Sequence, residues 1–198
     1  MKSVRIGGVL ALLLLQWGSS ASAVHLKNRA IDANPKPAVP LPSGGGPSSH
    51  WILQFKDFPT ADTRRKLAQR GVRVLEYLPD SALIVSFRQS PDLTGLSITW
   101  TGQLTAAART APGLETAPVF RVVFHGDVPK ADAERLLEGF QILGAPGLLP
   151  NHFLVAADQV RLPQLAAHDE VSYIFPSSIV PSGIVSGEMQ AAARRPPV

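Results

Sequence analysis

Two stretches decide the fold, WILQFKDFP at residues 51–59 and FRVVFHGDVP at residues 120–129. Each combines an apolar–polar alternation with a Phe, a short polar bend and a Pro. The alternation is typical of a β-strand with one face in a core. A segment with helical periodicity follows each Pro, so both stretches predict the opening strand and helix of a similar unit.

The similarity continues along the chain as a repeat with an offset of 69 to 71 residues. Small insertions over so long a match favour a duplication. The equivalent positions are Phe55 and Phe124, Pro59 and Pro129, Leu67 and Leu137, Leu78-Pro79 and Leu149-Pro150, and Leu83 and Leu154. ALIVSF at 82–87 and HFLVAA at 152–157 are apolar on both faces, which predicts central strands. The expected fold class is α+β: two tandem ferredoxin-like (βαββαβ) units, each an antiparallel sheet with its helices on one face.

The ends and the middle of the chain differ in composition from these units. A basic start, a short apolar run and an Ala-x-Ala ending predict a signal peptide that is cleaved after Ala23. The run is too short to cross a bilayer, so we expect a secreted or periplasmic protein without membrane attachment after cleavage. The predicted segments are a signal peptide at 1–23, a disordered Pro/Gly/Ser-rich leader at 24–50, the first unit at 51–104, a linker at 105–118, the second unit at 119–178 and a flexible tail at 179–198.

Composition excludes several classes of function. Loss of Lys2 and Arg5 with the signal leaves 17 basic and 15 acidic residues, without the basic cluster of a nucleic-acid binder. The absence of cysteine excludes a thiol nucleophile, a redox pair and a Cys-based metal site. Residues 51–118 carry 8 basic and 6 acidic side chains, and residues 119–178 carry 4 and 7. We expect the resulting attraction between the units to be weak because salt screens it.

The sequence shows no recognisable catalytic site. No Gly-x-Ser-x-Gly elbow, phosphate-binding loop or helical His pair occurs, so no catalytic, metal or cofactor residue is expected. His152 is interpreted as a turn residue. His168-Asp169-Glu170 is interpreted as the solvated end of a helix, with a small metal or acid–base cluster as the alternative. The other histidines are His25, His50 and His125.

The aromatic residues of the two units are expected in the core. They fall on strand or helix positions of the predicted elements, and their pattern is not that of an RNA-recognition motif. These residues are Trp51, Phe55, Tyr77, Trp100, Phe120, Phe124, Phe140, Phe153, Tyr173 and Phe175.

Residues 50–87 carry a family resemblance. They hold Gln54-Phe55, Gly71-Val72, Val74-Leu75, Tyr77-Leu78-Pro79-Asp80 and Leu83-Ile84-Val85 in the order strand, helix, strand, strand. This stretch resembles the N-terminal pro-region of secreted subtilisin-like serine peptidases, the fervidolysin-type prodomain. LLPNHFLVAAD and VSYIFPSS in the second unit resemble the closing part of such pro-regions.

The resemblance implies a folding assistant and inhibitor of a subtilisin-like serine peptidase, in cis or in trans. Such prodomains pack a sheet surface against the peptidase and lay the following segment along its cleft as an added strand. By this analogy the outer sheet face of the second unit would contact the partner, and the cleft-binding segment would begin at Phe175, Pro176, Ser177 and Ser178.

Two interpretations remain open beside this one. The peptidase motifs His-Gly-Thr-His and Gly-Thr-Ser-Met-Ala do not occur in the sequence. These residues could still be the N-terminal part of a longer peptidase, so enzymatic activity of the whole protein is undecided. The other alternative is a non-catalytic structural or adhesive N-terminal module of a secreted protein.

Overall fold

The computed structural model describes residues 23–25, 30–32, 49–144 and 148–178. Strands β1 (Ala23–His25) and β2 (Ala30–Asp32) form a small antiparallel pair. β2 and all of β1 except Ala23 lie in the segment for which composition predicts a disordered leader. The rest of the predicted leader before residue 49, residues 1–22 of the predicted signal peptide and the predicted tail lie outside the described residues.

The first unit is a four-stranded antiparallel sheet with one helix. Its strand order is β4-β5-β3-β6, so the first and third strands of the unit are central. The elements are β3 (Ser49–Phe55), α1 (Ala61–Gln69), β4 (Arg73–Leu78), β5 (Ala82–Phe87) and β6 (Ile98–Gly102). β3 starts two residues before the predicted boundary at Trp51. Residues 88–97 hold turns and bends where a full ferredoxin-like unit has its second helix.

The second unit has the complete set of ferredoxin-like elements. Its strand order, β10-β7-β9-β8, places the equivalent strands next to one another in the same antiparallel arrangement. The elements are β7 (Val119–Phe124), α3 (Lys130–Leu136), β8 (Ile142–Leu143), β9 (His152–Ala156), α4 (Leu162–Ala167) and β10 (Val171–Pro176). The α+β class with two tandem ferredoxin-like units is therefore confirmed, and β5 and β9 are central as expected.

Each unit has its main core on the helix side of its sheet. Thr60 caps α1 because its Oγ1 accepts a hydrogen bond from the Thr63 backbone N–H, and Leu67 of the same helix is fully buried. In the first unit the core consists of Trp51, Leu53, Phe55, Leu67, Val72, Leu83, Val85, Phe87 and Leu96. In the second unit it consists of Leu114, Phe120, Val122, Phe124, Ala133, Leu137, Phe153, Val155, Leu165, Ala166, Val171 and Ile174.

One pair of the predicted repeat is wrong. Leu83 pairs with Leu53 and lies in the helix-side core, whereas Leu154 lies on the opposite face of its sheet. The residue equivalent to Leu83 is Phe153, which pairs with Val122 in the second core. The slip arises because the turn before β9 has one residue fewer than the turn before β5. A one-residue shift moves a side chain to the other face of a sheet.

The predicted linker is structured and packs on the second unit. Helix α2 (Ala106–Arg109) and a 3-10 helix (Leu114–Thr116) lie within it. The Ala111 N–H donates a hydrogen bond of 2.8 Å to the Ile174 carbonyl of β10. Leu104, in contrast, packs against Ile52 of the first unit. The chain therefore passes from one unit to the other at residue 105.

Candidate functional site

A buried polar cluster lies where the two units meet. His50 of β3 is 3% exposed, and both of its ring nitrogens face carboxylates of the second unit. Nδ1 lies 2.9 Å from Asp169 Oδ2, and Nε2 lies 3.1 Å from Asp127 Oδ1. The His50 backbone N–H donates a further hydrogen bond of 2.7 Å to Asp169 Oδ2. We call the three residues Asp127, His50 and Asp169 the histidine clamp.

The topology of the second sheet brings the two aspartates together. Asp127 follows the end of β7, and Asp169 precedes the start of β10. β7 and β10 are antiparallel neighbours, so the end of one strand lies beside the start of the other. The His125 N–H joins the two loops by a 3.0 Å hydrogen bond to the Glu170 carbonyl. The two aspartates therefore lie together at one end of the β7–β10 strand pair, where they contact His50 of the first unit.

The electrostatics of the clamp favour a protonated His50. Burial alone lowers the pKa of His50, but the hydrogen bonds and charges of Asp127 and Asp169 outweigh it and raise this pKa to about 9. Burial by itself raises the pKa of both carboxyl groups. Hydrogen bonds to His50 nevertheless hold the pKa values of both carboxyl groups below their usual range. A hydrogen bond from Ser86 adds to this effect at Asp127, and the charge of Arg109 adds to it at Asp169. The clamp is therefore a charged triad near neutral pH.

Two further side chains complete the cluster. The His125 ring stacks on His50 with its centroid 4.2 Å away and an angle of 14° between the ring planes. Burial, reinforced by the positive charge of His50, lowers the pKa of His125 to about 3, so His125 is neutral. Arg109 of α2 is 4% exposed and places its guanidinium nitrogen 3.1 Å from Asp169 Oδ1. His50 and Arg109 together balance the two carboxylates.

This arrangement suits a structural contact better than catalysis. A general base needs a free nitrogen within reach of a substrate proton, and both nitrogens of His50 are engaged by carboxylates. His125 Nε2 is buried and has no hydrogen-bond partner in the part of the chain that the structure describes, and burial keeps His125 neutral. Across residues 49–144 and 148–178, no group of three or more acidic or histidine side chains has the arrangement needed to hold a metal ion.

The described contact between the two units is polar, because none of the buried apolar clusters among the described residues extends from one unit into the other. Each of the four buried apolar clusters among the described residues consists of side chains from one unit only. Among the described residues, the contact between the units includes the clamp, the His50–His125 stack and the hydrogen bond between Ser86 and Asp127.

The predicted partner-binding residues lie at the end of the last strand. Phe175 and Pro176 belong to β10 and pair with Arg121 and Phe120 of β7. The Ser177 N–H donates a 3.0 Å hydrogen bond to the Val119 carbonyl. Ser178 alone of the four predicted residues is exposed. Phe175, Pro176 and Ser177 are therefore part of the sheet or bonded to it, and Ser178 is the last residue that the structure describes.

The outer face of the second sheet, opposite its helices, carries an aromatic group. Tyr173 and Phe175 are partly exposed there, with their ring centroids 5.9 Å apart. The Arg121 guanidinium carbon lies 5.7 Å from the Phe175 ring centroid. We call these three residues the aromatic face. The expectation that Tyr173 and Phe175 are core residues is corrected by their partial exposure, and Tyr77 is 41% exposed in the first unit.

Sequence reasoning missed the clamp. It placed His50 beside a disordered leader and took Asp169 for a solvated acid, whereas His50 is buried and Asp169 binds both His50 and Arg109. His168, next to Asp169, is exposed and ends α4 as expected. His152 is the first residue of strand β9, so its interpretation as a turn residue is wrong.

Comparison with protein families gives a match over the first unit. A family described as a domain of unknown function, DUF8729, matches residues 25–105, a span that ends where the chain enters the second unit. No curated protein and no solved structure matches the chain. Within the described residues, no helix combines the length and the apolar character that a membrane span requires.

Proposed function

We propose that the chain is a propeptide-like inhibitor and folding assistant of a secreted subtilisin-like serine peptidase. The observation that carries the proposal is the aromatic face on the helix-free side of the second sheet. In the family that the sequence resembles, the corresponding sheet surface contacts the peptidase. The absence of a catalytic arrangement among the described residues agrees with a binding role.

The chemistry of the aromatic face suits a protein partner. Tyr, Phe and Arg are enriched at protein interfaces, and Tyr and Arg are frequent among the residues that dominate binding energy. Arg121 as a whole is partly exposed on this face, and its planar guanidinium carries several N–H donors that suit carbonyl and carboxylate groups of a protein partner. The contacts of Arg121 and Tyr173 with Phe175 hold the three side chains in place before binding. Such preorganisation reduces the entropy lost on association.

The edge of the second sheet favours contact through this face over addition of a strand. β10 is an edge strand, but the linker already bonds to it through the Ala111 N–H and the Ile174 carbonyl. The opposite edge strand, β8, has only two residues. In this proposal a peptidase contacts the outer face of the second sheet, and the segment that enters its cleft follows β10.

The test is an inhibition titration with matched variants. The exported protein is mixed with a subtilisin-like peptidase, and hydrolysis of a chromogenic peptide gives the inhibition constant. Phe175→Ala and Arg121→Ala should each raise this constant about five- to thirtyfold, since loss of a dominant contact costs about 1–2 kcal/mol.

The first unit supplies the matched control. Phe58 and Tyr77 stack there with centroids 5.9 Å apart, and Arg64 lies 5.5 Å from the Tyr77 ring. Tyr77→Ala and Arg64→Ala should leave the inhibition constant unchanged. If both sets of variants raised the inhibition constant equally, the aromatic face would not be the surface that contacts the peptidase. No inhibition by the unaltered protein would reject the inhibitor function and favour the structural or adhesive module.

A further inference from the structure

We propose that the two units form a latch, closed by the histidine clamp and opened about residues 103–105 when His50 loses its proton. This inference does not depend on the identity of a partner. It rests on three observations: the geometry of the clamp, the segregation of the apolar clusters and the change of packing partner across residues 103–105.

The clamp geometry requires the proton on His50. A neutral imidazole has one N–H donor, so one ring nitrogen would turn a lone pair toward a carboxylate oxygen about 3 Å away. The cluster of His50, Arg109, Asp127 and Asp169 is neutral when His50 is protonated and carries one negative charge when it is not. In a site where Asp127 is only 7% exposed, an unbalanced charge is expensive to bury.

Other groups around His50 cannot replace the lost charge. Arg109 already binds Asp169 from α2, and the Ser86 hydroxyl of β5 already bonds to Asp127. His125, which stacks on His50 from the end of β7, is neutral because it is buried. Glu170 interacts electrostatically with Arg109 and adds a further negative charge. Loss of the His50 proton therefore leaves two carboxylates facing one cation.

Separation of the units would leave their cores intact. Leu104 packs on the first unit, and Ala106 packs on the core of the second. Because each buried apolar cluster belongs to one unit, opening at residues 103–105 exposes mainly the polar contact. Domain contacts that are small and polar permit relative motion by default. The clamp can thus release without unfolding either sheet.

The experiment measures a distance between the units as a function of pH. The chain has no native cysteine, so the exposed pair Gln69→Cys and Glu138→Cys gives one spin label on each unit. Pulsed electron spin resonance records the distance at about pH 6.5 and about pH 10.5, on either side of the His50 titration. The latch predicts one narrow distance at the lower pH. At the higher pH it predicts a longer and broader distribution, with a midpoint near the His50 pKa of about 9.

Variants separate the clamp from general effects of pH. His50→Gln should give the broad distribution at both pH values, and Asp127→Asn should do the same if the first variant fails to fold. His168→Gln, at an exposed histidine, should behave as the unaltered protein. An unchanged distance in the unaltered protein at both pH values would overturn the proposal. So would loss of the near-ultraviolet circular dichroism signal at the higher pH, since the units would then unfold instead of separating.

Discussion

The stability of the protein should depend on His50 in a defined pH range. His50→Gln removes the charge from the clamp while it leaves the backbone N–H that donates to Asp169. The His50 pKa rises from 6.5 to about 9. Since one pKa unit corresponds to about 1.4 kcal/mol, this rise corresponds to about 3 kcal/mol of stabilisation of the folded state. Breaking a buried charge pair costs about 3–5 kcal/mol in other proteins, which agrees with this value.

The sign follows from the direction of the shift. Because the pKa is raised in the folded state, the stabilisation is fully present below pH 6.5 and is lost as the pH rises through 9. Urea unfolding of the protein near pH 6.5 should therefore show His50→Gln less stable by about 3 kcal/mol. Near pH 10 the two unfolding curves should approach each other.

The control for this experiment is His168→Gln, which changes an exposed histidine outside the clamp. Its unfolding free energy should match that of the unaltered protein at both pH values. A His50→Gln effect of equal size near pH 6.5 and near pH 10 would refute the reasoning, because the loss would then come from packing and not from charge.

Two further substitutions test other parts of the fold. His125→Phe keeps a ring stacked on His50 and removes a group whose pKa is lowered to about 3. Because a lowered histidine pKa costs stability as the pH falls below 6.5, the variant should raise the melting temperature more near pH 4.5 than near pH 7. Equal changes in melting temperature at the two pH values would contradict this. Gly102→Ala places a methyl group against the Trp100 ring and should cost about 1–3 kcal/mol in urea unfolding, whereas Gly126→Ala meets no atom within 4 Å and should be nearly neutral. Similar losses for both glycine variants would mean that the Trp100 contact is not the cause.

The sheets were predictable because their signal is local. Apolar residues on both faces of 82–87 and 152–157 predicted the central strands β5 and β9, and the βαββαβ order predicted the strand order of each sheet. The repeat was aligned correctly up to the turn before the third strand. There the second unit has one residue fewer, and periodicity alone could not choose between Phe153 and Leu154 for the core position.

The histidine clamp was not predictable in the same way because its parts are distant in sequence. His50 and Asp169 are 119 positions apart, and His50 and Asp127 are 77 apart. No local pattern joins such residues. The available signals were a histidine at the start of an apolar strand and the excess of acidic residues in the second unit. The small charge difference was expected to matter little, but two of those acids, Asp127 and Asp169, form ion pairs with His50 of the first unit.

The central claim is that the chain binds a subtilisin-like peptidase through its second unit. Calorimetric titration of the protein into such a peptidase, with a trypsin-like peptidase as the comparison, tests it most directly. The account predicts a saturable one-to-one complex with the subtilisin-like enzyme alone, weakened by Phe175→Ala and unaffected by Tyr77→Ala. Absence of binding heat with the subtilisin-like enzyme, together with absence of inhibition, would contradict it.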